Sequence, residues 1–106
     1  MALVGVKVLS RGQITSAGGN ICDVAASKEW IVKYINLSNS AAGPVTVDLY
    51  INGSTAAYHW RRVVLSSQYE GWEFTRELFL ADADFVYGIA DINNQVNYVF
   101  AGLENA

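Results

Sequence analysis

The run Val45-Thr46-Val47-Asp48-Leu49-Tyr50-Ile51 alternates apolar with mostly polar side chains, and Asn52-Gly53 follows at once. A repeat of two residues is that of an extended strand, so Val45, Val47, Leu49 and Ile51 share one face. Asn-Gly supplies the positive backbone angles of a tight hairpin, which the spacing predicts directly after this strand. Such a chain folds as β structure.

The same grammar runs through the rest of the sequence. Val4, Val6 and Val8 alternate with Gly5 and Lys7, predicting a strand near residues 3–9 that ends at Ser10-Arg11-Gly12. A short strand over 21–24 follows the turn Ala17-Gly18-Gly19-Asn20. Residues 30–37 are rich in aromatic and β-branched side chains on both parities, Ile31, Ile35 and Leu37 against Trp30, Val32 and Tyr34. That pattern predicts a central strand, or one covered by a neighbouring subunit. After the loop Asn39-Ser40-Ala41-Ala42-Gly43-Pro44 come strands over 45–51, 56–65, 72–78, 85–90 and 96–103. Turns fall every ten or so residues and no segment sustains a helical period. The expected fold is all-β: a single antiparallel β-sandwich, jelly-roll-like, of about eight strands. It forms one domain over residues 1–106, with residues 1–12 as an N-terminal arm or edge strand.

Charge argues against one class of partner. Seven basic residues face ten acidic ones, and the single adjacent basic pair, Arg61-Arg62, points to opposite faces of a strand. Counterion release from clustered cations, the usual source of nucleic-acid affinity, is therefore not available. With charged residues at 16% and aromatics at 12%, the surface is expected to be apolar enough to favour self-association or docking. Cys22 stands alone, which rules out an internal disulfide and fits a small buried hydrophobe. The opening Met1-Ala2-Leu3-Val4-Gly5-Val6-Lys7 lacks the basic start of a signal peptide, and no run reaches membrane-spanning length. The expectation is a chain with no membrane partner, soluble in a host cytoplasm until it assembles.

Catalytic chemistry finds little to work with. The one histidine, His59, sits in a strand between Tyr58 and Trp60, and serines and aspartates are too numerous for a Ser-His-Asp match to be specific. One Cys and one His do not make a zinc site. Asp82-Ala83-Asp84 and Asp91-Ile92-Asn93-Asn94 lack the glycine and downstream glutamate of a calcium loop and read as turns. No catalytic residue, metal ligand or cofactor is assigned, and the chain is expected not to be an enzyme. Aromatic residues point elsewhere: Tyr58 and Trp60 share a parity with Arg62, next to Arg61, and Tyr50 lies on the polar parity of its strand. Large rigid rings beside arginine are the composition of protein-interface hot spots. Tyr58, Trp60, Arg61 and Arg62 are therefore the expected partner-binding residues, with Tyr50 as a secondary contact.

Trp30-Ile31-Val32-Lys33-Tyr34-Ile35-Asn36-Leu37-Ser38-Asn39, then Val45-Thr46-Val47-Asp48-Leu49-Tyr50, Leu78-Phe79-Leu80, Asp84-Phe85-Val86-Tyr87-Gly88 and Val96-Asn97-Tyr98-Val99-Phe100-Ala101-Gly102 occur in that order. This series resembles small β-sandwich virion structural proteins of tailed bacteriophages, over roughly residues 28–104. It departs from them at Tyr58-His59-Trp60-Arg61-Arg62, a bulkier and more basic stretch than theirs. The resemblance implies a virion location and a head decoration or cement protein that docks on the outer shell and stabilises it. Its partners would be the major capsid protein or other virion proteins, and it would be a homo-oligomer, such as a trimer. A tail, adaptor or fibre-base component, or a carbohydrate-binding module for host attachment, are the alternatives.

Overall fold

A computed structural model describes residues 6–105; the part of the expected first strand and arm that falls on residues 1–5 lies outside the described residues. Among the described residues nine strands run in chain order: β1 (Lys7–Ile14), β2 (Gly19–Asp23), β3 (Glu29–Asn39), β4 (Val45–Ile51), β5 (His59–Leu65), β6 (Gly71–Phe74), β7 (Leu78–Leu80), β8 (Phe85–Ala90) and β9 (Val96–Asn105). They form a five-stranded sheet in the order β1-β9-β3-β6, with β7 also on β3, and a four-stranded sheet in the order β2-β8-β4-β5. Every pairing is antiparallel.

The pairings nest. β1 lies on β9, β2 on β8, β3 on β6 and β7, and β4 on β5, so the chain is one long antiparallel ribbon folded over on itself. That is the topology of a jelly roll, and the β-sandwich expected from the periodicity is the fold. Between the sheets lie Val45, Val47 and Leu49 of β4, Val63 and Leu65 of β5, Val86 of β8, Ile35 and Leu37 of β3, and Val96 and Phe100 of β9, all buried. Burying each such side chain contributes about 1.5–3 kcal/mol.

Four local expectations change. The first strand does not stop at Ser10-Arg11-Gly12 but continues to Ile14, because pairing to β9 carries it on; Lys7 to Gly12 is thus edge strand, and Val8 faces outward at 53% exposure. The two apolar parities of β3 do not mark two covered faces. A β-bulge between Val32 and Tyr34 shifts the alternation by one, so Trp30 and Val32 before it and Ile35 and Leu37 after it all enter the same core. Gly102 sits against this bulge, where a Cβ would collide with the Ile31 carbonyl. Opposite the same bulge the expected 72–78 strand is broken in two, with β6 pairing Ile35 to Ser38 and β7 pairing Trp30 to Val32. Finally, Asn52-Gly53 is not a tight hairpin. Asn52 does take a left-handed φ of 62°, but the chain loops on through a 3-10 turn at Ala56–Tyr58 before β5 starts. Asn52 instead binds the next strand over: its N–H donates to the Phe85 carbonyl and its Oδ1 accepts from the Phe85 N–H, both at 2.9 Å.

Among the described residues one polar side chain is fully enclosed. Asn39 Nδ2 donates to the carbonyls of Gly43, Leu65 and Ser67 at 2.9, 3.3 and 3.2 Å, while its Oδ1 accepts from the Ala41 N–H at 2.8 Å. It ties the β3–β4 and β5–β6 loops together at one end of the sandwich, with its polar atoms paired as burial requires.

Candidate functional site

β5 is an edge strand, and it carries Trp60, Arg61 and Arg62, with Tyr58 just ahead of it. Its register on β4 places His59 opposite Tyr50, Arg61 opposite Leu49 and Arg62 opposite Asp48, leaving Trp60 as an unpaired bulge residue. Bulges at sheet edges re-aim side chains. This one divides the expected partner-binding set between two surfaces.

The first surface is the outer face of the four-stranded sheet. Tyr87, Tyr50 and His59 form a row across three strands, with Tyr50 meeting Tyr87 and His59 edge-on at centroid distances of 5.8 and 5.1 Å. Packed between them, Tyr50 is half-buried rather than free. In the next row Asp48 Oδ1 accepts from Arg62 Nε at 2.9 Å and contacts His59 Nε2 at 2.9 Å. Partial burial pushes the Asp48 carboxyl up, but the bonds from Arg62 and His59 outweigh it and hold the group below the usual carboxylate range. Arg62 remains largely exposed beside exposed Val64, and Tyr58, 49% exposed, stands at the loop end of the same strand.

The second surface is the side opening between the sheets. Trp60 is half-buried, its ring edge-on to buried Phe74 at 5.2 Å. Arg61 has the inward parity of Val63 and Leu65 yet is exposed, because its guanidinium leaves between the sheet edges and lies over the Trp60 and Phe74 rings at 5.5 and 6.0 Å. A cation over an indole face is attracted by the ring quadrupole. Arg61 and Arg62 thus serve different faces.

A third feature had no sequence signal. On the outer face of the five-stranded sheet, Ile31 is flanked by Leu103 and Phe79 in register, and the three line a groove of about 560 Å³ that also takes in Trp30, Leu80 and Asp84. Phe79 is 67% exposed. Its apolar character was hidden because Ile31 reads as core until the bulge in β3 turns it outward. Glu29 and Asn105, paired one step further along, stand at the rim.

No family model matches this chain, and neither does any curated protein sequence. Solved structures do resemble it. The capsid structure of the Helicobacter pylori bacteriophage KHP30 is similar at a TM-score of 0.58 and 11% identity, covering 99% of this chain and 96% of that one. A Bacillus endospore appendage, from a family of disulfide-linked pili, is similar at a TM-score of 0.57 and 12% identity, covering 95% and 86%. At these identities the likeness is one of fold, and it extends over nearly the whole chain in both cases.

Other chemistry in the chain is occupied. Cys22 is buried, and burial with Asp23 alongside pushes its thiol up to about 12, so it stays protonated. Asp84 closes its own turn by accepting from the Ala81 N–H at 2.8 Å and from Asn52 Nδ2 at 3.0 Å. Among the described residues no helix is long and apolar enough to cross a membrane.

Proposed function

We propose that this chain is a non-enzymatic structural protein of a bacteriophage virion, a decoration or cement protein that docks on the assembled shell and stabilises it. The observation that carries this reading is the extent of the fold. A complete jelly roll with no large insertion spans 99% of this chain and 96% of the KHP30 capsid chain it resembles. Such a sandwich is rigid, and rigid scaffolds lose little entropy on docking. The pilus likeness has less behind it, since the one cysteine of this chain is buried and protonated.

The outer face of the four-stranded sheet supplies the docking surface. Tyr58 and Arg62 are its exposed contacts; Asp48 holds Arg62, and the Tyr58 ring lies against Gly53. In this reading His59 orients Asp48 and Tyr50 rather than acting as a base. A patch of ~800 Å² per partner, spanning neighbouring capsid subunits, makes their separation cost the contacts to both. Many copies on one shell let each contact be modest.

Tyr58→Ala and Arg62→Ala test this. Both should leave the isolated domain folded while lowering occupancy of the chain on purified virions by roughly tenfold or more, the effect of losing ~1.4 kcal/mol. Occupancy is read by quantitative gel analysis of gradient-purified particles. Unchanged occupancy in both variants would remove this face from the interface, and absence of the wild-type chain from every particle would end the virion reading.

A further inference from the structure

We infer that the side opening of one copy, Trp60 with Arg61, docks into the Ile31–Leu103–Phe79 groove of a second copy. This deepens the docking role proposed above by naming the partner of one of its surfaces, and it rests on the reading that the chain assembles.

The two surfaces complement each other in charge and in polarity. Arg61 is exposed and, among the described residues, has no carboxylate within ion-pair distance. It is held in one direction by the rings beneath it, so little rotamer freedom remains to be lost on binding. The groove presents the converse. Its floor is aliphatic and aromatic, and its rim carries Glu29, which is exposed, accepts only a long 3.3 Å bond from Asn105 Nδ2 and meets no cation among the described residues. Asp84 and Glu104 also line the groove but are already bonded, Asp84 to Asn52 and the Ala81 N–H and Glu104 to Lys7 and Trp30, so Glu29 is the carboxylate left for Arg61.

A single copy does not join its own halves. The groove lies over Ile31, whose parity is opposite to that of buried Trp30, and runs past Trp30 and Leu80 to Asp84 at the β7–β8 turn. Arg61 instead leaves through the side, from the edge of the other sheet. Two copies set side against face satisfy both at once: Arg61 reaches Glu29, and the exposed edge of the Trp60 ring covers Phe79. Covering Phe79 removes exposed apolar area from water. Opposite charges across the contact fix its register and suppress the like-charged alternatives. The contact is heterologous, so it repeats from copy to copy and closes into a ring or runs on as a row.

Sedimentation velocity of the purified full chain over a concentration series tests this. Wild type should self-associate. Arg61→Glu and Glu29→Arg should each weaken association at least tenfold in Kd, and the double variant Arg61→Glu/Glu29→Arg should recover most of that loss, with circular dichroism unchanged throughout. Phe79→Ser should weaken association without being rescued by the charge exchange. A wild-type chain still monomeric at about 1 mM, where an interaction of ~4 kcal/mol would be visible, overturns the inference. So does a double variant no better than the single ones. A chain that joins particles but never associates with itself removes this interface and leaves the virion role standing. One that associates through these residues and joins no particle does the reverse.

Discussion

Asp48 accepts from both Arg62 and His59, and its depressed carboxyl makes stability depend on pH in a defined direction. A carboxylate whose folded pKa lies below its unfolded value, ordinarily about 3.9, stabilises the fold fully above that value. The contribution disappears as pH falls through the folded pKa. Arg62→Gln removes the main bond holding the carboxylate ionised. Urea midpoints should then show a wild-type advantage that is flat above about pH 5 and shrinks below about pH 4. An advantage that persists unchanged to pH 2 would mean Arg62 acts through something other than Asp48. The exposure of Arg62 was legible beforehand from alternation along β5, but its partner was not. Asp48 lies 14 positions away in the sequence and meets Arg62 only through the register of two strands.

At the level of elements, the strands were readable and the bulges were not. Val45–Ile51 and Phe85–Ala90 lie where alternation puts them. β3 misled, because alternation counts residues while a bulge inserts one that the partner strand does not match. Gly102 makes the bulge at Lys33 possible: a side chain there would drive into the Ile31 carbonyl. Gly102→Ala should therefore lower stability by about 2–3 kcal/mol, the cost of overpacking a tight site, measured by urea unfolding. An unchanged midpoint would show that β3 and β9 separate freely at this point. Trp60 obeys the same rule on the other sheet. Its parity with Tyr58 and Arg62 suggested one shared face, and the bulge rotated it against Phe74 instead.

For the molecule as a whole, nesting of the pairs sets the folding problem. β1 closes on β9, joining Lys7 to Gly102 across almost the entire chain, and among the described residues only β4 and β5 pair as sequence neighbours. Non-local pairing must meet its loop-closure entropy before contacts repay it, so refolding should take milliseconds to seconds or longer rather than microseconds. Stopped-flow fluorescence of Trp30, buried in β3 where the long ribbon closes, will report it among the three tryptophans. A microsecond phase carrying the full amplitude would contradict nesting as the rate-limiting feature. Side chains from distant strands also make the two surfaces invoked for assembly: the groove takes residues from β3, β7 and β9, and the Trp60–Arg61–Phe74 stack takes them from β5 and β6.

Alternation, turn residues and the sparse charge were enough by themselves to determine a two-layer β fold, because that property is local and is written two residues at a time. Tertiary structure alone decided which face each ring occupies, that Arg62 meets Asp48, and that a groove opens beside Phe79. These follow from bulges and from the register between strands far apart in the chain, and a register one residue different would have turned every side chain concerned to the other face.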